Sequence, residues 1–319
     1  MDEFDLIRRF FSRDSGDGAV IVGTGDDGAV LAPEPGRNLV VVVDTLVAGV
    51  HYPVDLAAAD IGYRSLAVNL SDVAAMGGRP RWMTLALTLV EADEPWLAGF
   101  ANGLFEAAGE HRVTLVGGDT TKGSQTVISV QLMADVAAGV LLTRSGARPG
   151  DAIYVTGTPG DAAGGLALLE DPARERTGSD GRYLVRRFSR PSARVGFGAA
   201  IAGIATAAID LSDGLGTDLA KLLAASNVSG VLDLDRLPLS AEMRRVFDHD
   251  RAMHFALEGG DDYELCFTVP PSGTDRISSL AAQQGVTVTR VGEVRDGTGL
   301  ACKRDGRIFP YEDHGYRHF

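Results

Sequence analysis

Basic residues are in short supply. Lys and Arg total 30 against 43 Asp and Glu, a formal net charge of −13 over 319 residues. A surface of that sign repels nucleic-acid phosphates, and no Lys/Arg run offsets it, so nucleic acid and anionic membrane are poor partners. Cysteine is rarer still. Cys266 and Cys302 are the only two, and neither belongs to a CxxC pair. Both lie in apolar, strand-like surroundings, which predicts two buried thiols rather than a zinc site or a disulfide framework. That usage fits a reducing compartment. Long apolar runs are missing too: the strongest, residues 39–50, is broken by Asp44 and is too short to cross a bilayer. The opening Met1-Asp2-Glu3-Phe4-Asp5-Leu6-Ile7 is acidic and amphipathic, unlike a secretory signal. The expectation is a soluble, cytoplasmic protein.

Several catalytic signatures are absent as well. There is no GxxxxGK[ST], no kinase set of β3 lysine, HRD and DFG, no GxSxG and no HExxH. Gly23-Thr24-Gly25 lacks the rest of a dinucleotide fingerprint.

What is present is an ordinary globular composition, 45% hydrophobic and 23% charged, in a chain longer than one typical core. The turn-rich stretch 144–151 marks a lobe boundary, giving lobes 1–147 and 148–319. Patterning predicts helices over 3–11, 60–76 (with Asp60 as its cap), 95–111, 161–169, 181–188, 193–204, 214–225 and 274–284. It predicts strands over 39–44, 82–90, 114–116, 126–136, 152–156, 206–210, 263–269 and 286–291, and a surface loop over 171–180. Strands and helices alternate in both lobes, so the class is mixed α/β.

The informative pattern is where the acids fall. Gly25-Asp26-Asp27-Gly28, Val43-Asp44-Thr45, Leu70-Ser71-Asp72, Gly117-Gly118-Asp119-Thr120, Asp210-Leu211-Ser212-Asp213-Gly214 and Gly259-Gly260-Asp261-Asp262 each place a carboxylate at the end of an apolar segment or in a glycine-rich turn. Mg²⁺ favours a few carboxylates together with phosphate oxygens, and glycine lets backbone N–H groups approach phosphate. Any one of these turns also reads as plain turn chemistry, and Asp210 or Asp213 as a helix cap. Six of them together point to a metal–phosphate site without naming a reaction. Ser65, Asn69 and Asp72 share one helix face, a stripe that either solvates or lines a site. His51 beside the Asp44 turn reads alone as structural, and Arg144 as a surface charge.

The motifs Asp44-Thr45-Leu46-Val47-Ala48-Gly49-Val50-His51, Asn69-Leu70-Ser71-Asp72, Val116-Gly117-Gly118-Asp119-Thr120-Thr121, Leu142-Thr143-Arg144-Ser145-Gly146, Asp210-Leu211-Ser212-Asp213-Gly214, Gly259-Gly260-Asp261-Asp262-Tyr263-Glu264-Leu265 and Gly315-Tyr316 resemble the thiamine-monophosphate kinase family in order and spacing. The resemblance covers nearly the whole chain. It implies the two-lobed fold of the aminoimidazole ribonucleotide synthetase-like superfamily, with an N-terminal lobe that forms a dimeric β-barrel-type interface in a homodimer. It implies ATP-dependent phosphorylation of thiamine monophosphate to thiamine diphosphate, with several Mg²⁺ ions. Carried over by position, Asp26, Asp44, Asp72, Asp119, Asp210 and Asp213 would ligate metal. Gly118, Asp119, Arg144 and Ser212 would contact ATP, and His51, Asp261 and Tyr316 would contact thiamine monophosphate. Asp72, Asp119, Asp210 and Arg144 would carry catalysis. The chain departs from the family at Val42 and Val43, where a Ser/Thr pair is usual, and at Asp261, where Glu is usual. Two other readings stay open: another ATP-using synthetase of the superfamily, or a non-catalytic sensor of nucleotide or thiamine phosphate.

Overall fold

The computed structural model describes residues 3–13, 16–25, 27–171, 178–313 and 315. Asp26 and Tyr316 lie outside the described residues, as do residues 172–177 of the expected surface loop. The chain divides into two compact units, one of residues 1–73 and 78–138 and one of residues 74–77 and 139–319.

The first unit opens with α1 (Glu3–Leu6), which runs on as a π-helical turn, Ile7–Phe11. A two-stranded pairing of β1 (Val20–Val22) and β2 (Val30–Leu31) follows. Then come β3 (Arg37–Val47), α2 (Ala58–Ala75), β4 (Arg79–Leu89), α3 (Glu94–His111), β5 (Thr114–Lys122) and β6 (Val127–Ala137). The last four strands form an open sheet in the order β3-β6-β4-β5, parallel only between β4 and β5. No closed barrel forms among the described residues of the single chain.

The β-branched run that predicts a strand at 39–44 extends to eleven residues, because β6 pairs with it along its whole length. Side chains of a strand alternate between faces. Val40 and Leu46 are buried on one face, while Leu39, Val41 and Val43 are 50%, 51% and 62% exposed on the other. Asp44 has the parity of Val40 and Leu46 and therefore points to the buried face.

Helix α2 begins two residues before Asp60, which sits in its first turn and is not the cap. The Asp60 and Ile61 amides already donate to Ala57 O at 2.9 and 3.0 Å. The helices α2 and α3 touch backbone to backbone. A Cβ on Gly62 would lie 2.0 Å from Phe100 O, and one on Gly103 would lie 1.7 Å from Ala59 O, so only glycine fits at either contact.

The second unit contains β7 (Ala152–Thr156), α4 (Asp161–Glu170), α5 (Ser179–Ser189), α6 (Val195–Ile201), β8 (Ala207–Asp210), α7 (Leu215–Ser226), β9 (Ser229–Asp233), α8 (Ala241–Val246), α9 (His249–Glu258), β10 (Leu265–Val269), α10 (Thr274–Gln284), β11 (Val288–Arg295), β12 (Gly299–Arg304) and β13 (Arg307–Pro310). Its seven strands run β13-β12-β9-β11-β7-β10-β8. Every residue of β7, β8 and β10 is buried, which is why these strands read as continuous apolar runs and not as alternations. Ile153, Val155, Ile209, Leu219, Leu222 and Cys266 belong to the main core. Both cysteines are buried free thiols, as expected.

Several expected boundaries shift. The helix predicted over 193–204 covers only α6, whose cap Ala202 leaves helical geometry at ψ 127. The strand predicted over 263–269 starts at Leu265, because Asp261 and Tyr263 take left-handed backbone, φ 71° and 51°, which cannot belong to a strand. The segments 229–258 and 292–310, to which patterning assigns nothing, hold β9, α8, α9, the end of β11, β12 and β13.

Candidate active site

In the first unit β3 and α2 bring two acids together. The Asp44 carboxyl, half-buried on the inner face of β3, hydrogen-bonds to that of Asp72. Burial raises the Asp44 pKa above the ordinary value, and the bond to Asp72 opposes that rise. Two carboxyls in contact repel unless they share a proton or a cation. The rest of the polar stripe does not solvate: Ser65 is 2% and Asn69 0% exposed. Ser65 Oγ donates to Gly62 O at 2.8 Å and Asn69 Nδ2 to Ser65 O at 3.1 Å. These two spend their donors on the helix backbone. Asp72 alone of the three is partly open.

His51 closes the tight turn after β3. Its backbone N–H donates to Val47 O, and its Nδ1 accepts the Val47 N–H, both at 3.0 Å. With Nδ1 an acceptor, the neutral ring carries its proton on Nε2.

The Gly117–Thr120 run of β5 lines a cavity of about 390 Å³ together with Gly25, Asp27, Ile7, Phe11, Leu85 and Leu115. Small-molecule sites fall in this size range and mix apolar walls with a few polar groups. A Cβ on Gly118 would sit 1.9 Å from Leu85 O, so a side chain there would push β4 and β5 apart. The glycine therefore serves strand packing, and it also leaves the cavity wall bare. Asp119 is exposed at its rim.

In the second unit two loops are laced together. The Asp261 N–H donates to Ser212 O at 2.9 Å, Tyr263 N–H to Leu211 O at 2.8 Å and Leu211 N–H to Glu264 O at 2.8 Å. Asp210 ends β8 and is buried, while Ser212 and Asp213 are partly open. Neither acid caps α7, whose N-cap is Gly214. Asp213 is ion-paired with Lys221. Arg144 is exposed and has no ion-pair partner among the described residues. Its carbonyl accepts from Ser226 Oγ at 3.0 Å, which fixes the loop that carries it.

The acids flanking Asp261 are structural. Asp262 is buried and accepts the Gly160 and Ala162 N–H groups at 2.5 and 3.1 Å at the start of α4. Burial raises its pKa strongly against those bonds. Glu264, fully buried, takes Arg187 at 2.7 Å, Arg194 through two nitrogens at 2.6 Å each and Thr156 Oγ1 at 2.5 Å. Burial alone would raise its pKa, but Arg194 and Arg187 hold it below the ordinary value. These bonds pin the loop in which Asp261 and Tyr263 keep left-handed backbone, a strain found at functional sites.

The model for AIR synthase related protein, N-terminal domain, matches residues 25–136, and that for the C-terminal domain matches residues 148–304. Thiamine-monophosphate kinase of Salmonella typhimurium strain LT2 is 46% identical over 99% of this chain and 98% of its own length. The chain belongs to the thiamine-monophosphate kinase family. A crystal structure of the thiamine-monophosphate kinase from Stenotrophomonas maltophilia K279a superimposes with a TM-score of 0.88 at 44% identity, covering 96% of this chain and 97% of that one. AaThiL complexed with AMPPCP and TMP superimposes with a TM-score of 0.80 at 31% identity, covering 90% and 89%.

Of the positions that resemble this family, Asp44 and Asp72 are in contact. Gly118 and Asp119 line one cavity, and Ser212 and Asp261 belong to one pair of bonded loops. Among the described residues no three His, Cys, Asp or Glu side chains are grouped to hold a metal ion. Asp218, Lys221, Arg187 and Arg194 went unread in the sequence, and Asp262 and Glu264 were read only as part of a motif. The one local signal was the Asp218–Lys221 spacing of i, i+3. The burial of Glu264 within an apolar run also demands a cationic partner, but sequence does not say which.

Proposed function

We propose that this chain transfers the terminal phosphoryl group of ATP to thiamine monophosphate, releasing ADP and thiamine diphosphate. The full-length match to thiamine-monophosphate kinases carries this reading. We assign Gly118, Asp119, Arg144 and Ser212 as nucleotide contacts, the first two of which line the cavity at Gly117–Thr120, and His51, Asp261 and Tyr316 as contacts to thiamine monophosphate. His51 would offer Nε2 to that substrate, since Nδ1 is taken by the Val47 amide.

Magnesium fits the donor set. Mg²⁺ is held by one or two carboxylates plus substrate phosphates rather than by an all-protein cage, and a cation at the Asp44–Asp72 pair would relieve the repulsion of two adjacent carboxyls. Asp44 and Asp72, with Asp26 and Asp119, would hold metal from the first unit, and Asp210 and Asp213 from the second. The bound metal would neutralise phosphate charge. The acceptor phosphate is already ionised, so the residues need supply no strong base. Their work is to align two anions for in-line transfer, with Arg144 a bidentate phosphate donor and Asp72, Asp119 and Asp210 as its catalytic acids.

The lobe of residues 1–147 would bind ATP and metal and would also dimerise, beside the α/β lobe 148–319. β3 is an edge strand whose outer face exposes Leu39, Val41 and Val43 in a row, and a second copy forming a barrel-type interface would cover that face and the unpaired edge. Val43 faces outward there, so its loss of the family hydroxyl does not alter the inner face that carries Asp44. No helix among the described residues is long and apolar enough to cross a membrane, and we place the enzyme in the cytoplasm, where ATP is supplied.

The test is to incubate the protein with ATP, Mg²⁺ and thiamine monophosphate and to measure thiamine diphosphate. ADP release in step with that product is expected. Absence of thiamine diphosphate sinks the reading.

A further inference from the structure

The turn at Ser212–Asp213 is wired opposite to a phosphate-binding turn. Its two backbone N–H groups do not face outward. Both donate to one oxygen of Asp218, at 3.0 and 2.9 Å. Asp218 is 1% exposed, and its other oxygen takes Lys221 Nζ at 2.8 Å. Both oxygens of this carboxylate are engaged, so it is a fixture of the fold and not a free ligand. With the amides turned inward, the turn presents its side chains outward, including the Asp213 carboxylate.

That carboxylate is not left bare. Lys221 bonds it with the same ammonium that serves Asp218. An ammonium has three donors, so it can release Asp213 and remain tethered to Asp218 without moving into solvent. Lys221 and Asp213 are 39% and 32% exposed, open enough for another cation to reach the acid.

We propose that Lys221 is a positioning residue that acts as a resident counter-ion: it neutralises Asp213 in the ligand-free enzyme and is displaced from it, though not from Asp218, when a metal–nucleotide binds. The inference rests on the kinase reading above. It makes Mg²⁺ compete with an internal cation, so Lys221 raises the Mg²⁺ concentration that nucleotide binding requires. A lysine that instead gripped phosphate directly would lower it.

The experiment titrates Mg²⁺ at fixed AMPPCP by calorimetry, with no turnover involved. Lys221→Met lowers the half-saturating Mg²⁺ about fivefold, the ceiling for a partly exposed ion pair. Lys221→Arg, whose planar fork grips a carboxylate through two bonds, raises it. An unchanged or higher requirement in Lys221→Met overturns the inference, as does Mg²⁺-independent AMPPCP binding by the unsubstituted protein. If Lys221→Met loses its native circular dichroism, Lys221→Arg decides, and a requirement at or below that of the unsubstituted protein is then fatal. Failure of the protein to make thiamine diphosphate would sink the kinase reading separately, because the titration never measures product.

Discussion

Two acid clusters, one in each unit, meet the same electrostatic problem in opposite ways. In the first, Asp44 and Asp72 face each other carboxyl to carboxyl, and relief must come from a proton or an added cation. In the second, Asp213 and Asp218 carry their own cation in Lys221. Glu264 goes further: it is fully buried yet ionised, because Arg187 and Arg194 close on it. An aspartate's chemistry is therefore set by the counter-charge the fold supplies. The Asp44–Asp72 pair asks for a ligand, while Asp213, Asp218 and Glu264, like Asp135 among Arg37, Arg79 and Arg81 in the first unit, are already answered by the protein.

That contrast can be broken by substitution. The largest effect belongs to Asp72→Asn, which should reduce turnover by about 10²–10³-fold while the fold survives. Full turnover with unchanged Mg²⁺ dependence would reject Asp72 as a ligand. Next is Glu264→Gln. It strands two arginines and should destabilise the second unit by about 3 kcal/mol in denaturant melts.

The same variant gives a pH test. The Glu264 pKa is depressed in the folded state, so its stabilisation is present above its unfolded value of 4.5 and is lost as pH falls through the folded value. The stability gap between the two proteins should close in acid. A gap that stays constant as pH falls well below 4.5, measured by the same melts, would contradict the ion pair.

The smallest effects differ in sign between the units. Asp218→Asn removes a charged acceptor from two amides and an ammonium, and should cost about 2 kcal/mol. Asp44→Asn, measured without divalent cations, should leave the first unit unchanged or stabilise it by up to about 1 kcal/mol, since an amide frees the pair from having to share a proton. Equal losses in both variants would erase the distinction drawn between the units.

Much of the fold was legible because burial leaves a simple trace. β7, β8 and β10 are buried on both faces and read as unbroken apolar runs. The carboxylate turns were visible because Asp beside Gly at the end of an apolar segment is a local pattern. Helices α8 and α9 were missed, although Ser240 and Asp248 cap them with bonds to Met243 N and Arg251 N at 2.9 Å. Each helix is short, and a cap without a long apolar period is a weak signal. Strand β12 buries only Leu300 and Cys302, within a consecutive Leu-Ala-Cys run, and β13 is exposed throughout, so neither leaves a clear period in the sequence. The stripe of Ser65, Asn69 and Asp72 was correctly placed on one face, but periodicity had no means of separating the two buried members from the open one.

The sequence by itself determined the class of fold and which residue types were available for a metal–phosphate site, because hydrophobic period and turn chemistry are local properties. Tertiary structure decided which carboxylate meets another acid and which meets a lysine or two arginines. Electrostatic interaction depends on distance through space, and Glu264 lies 70 residues from Arg194 along the chain but 2.6 Å from it in the fold.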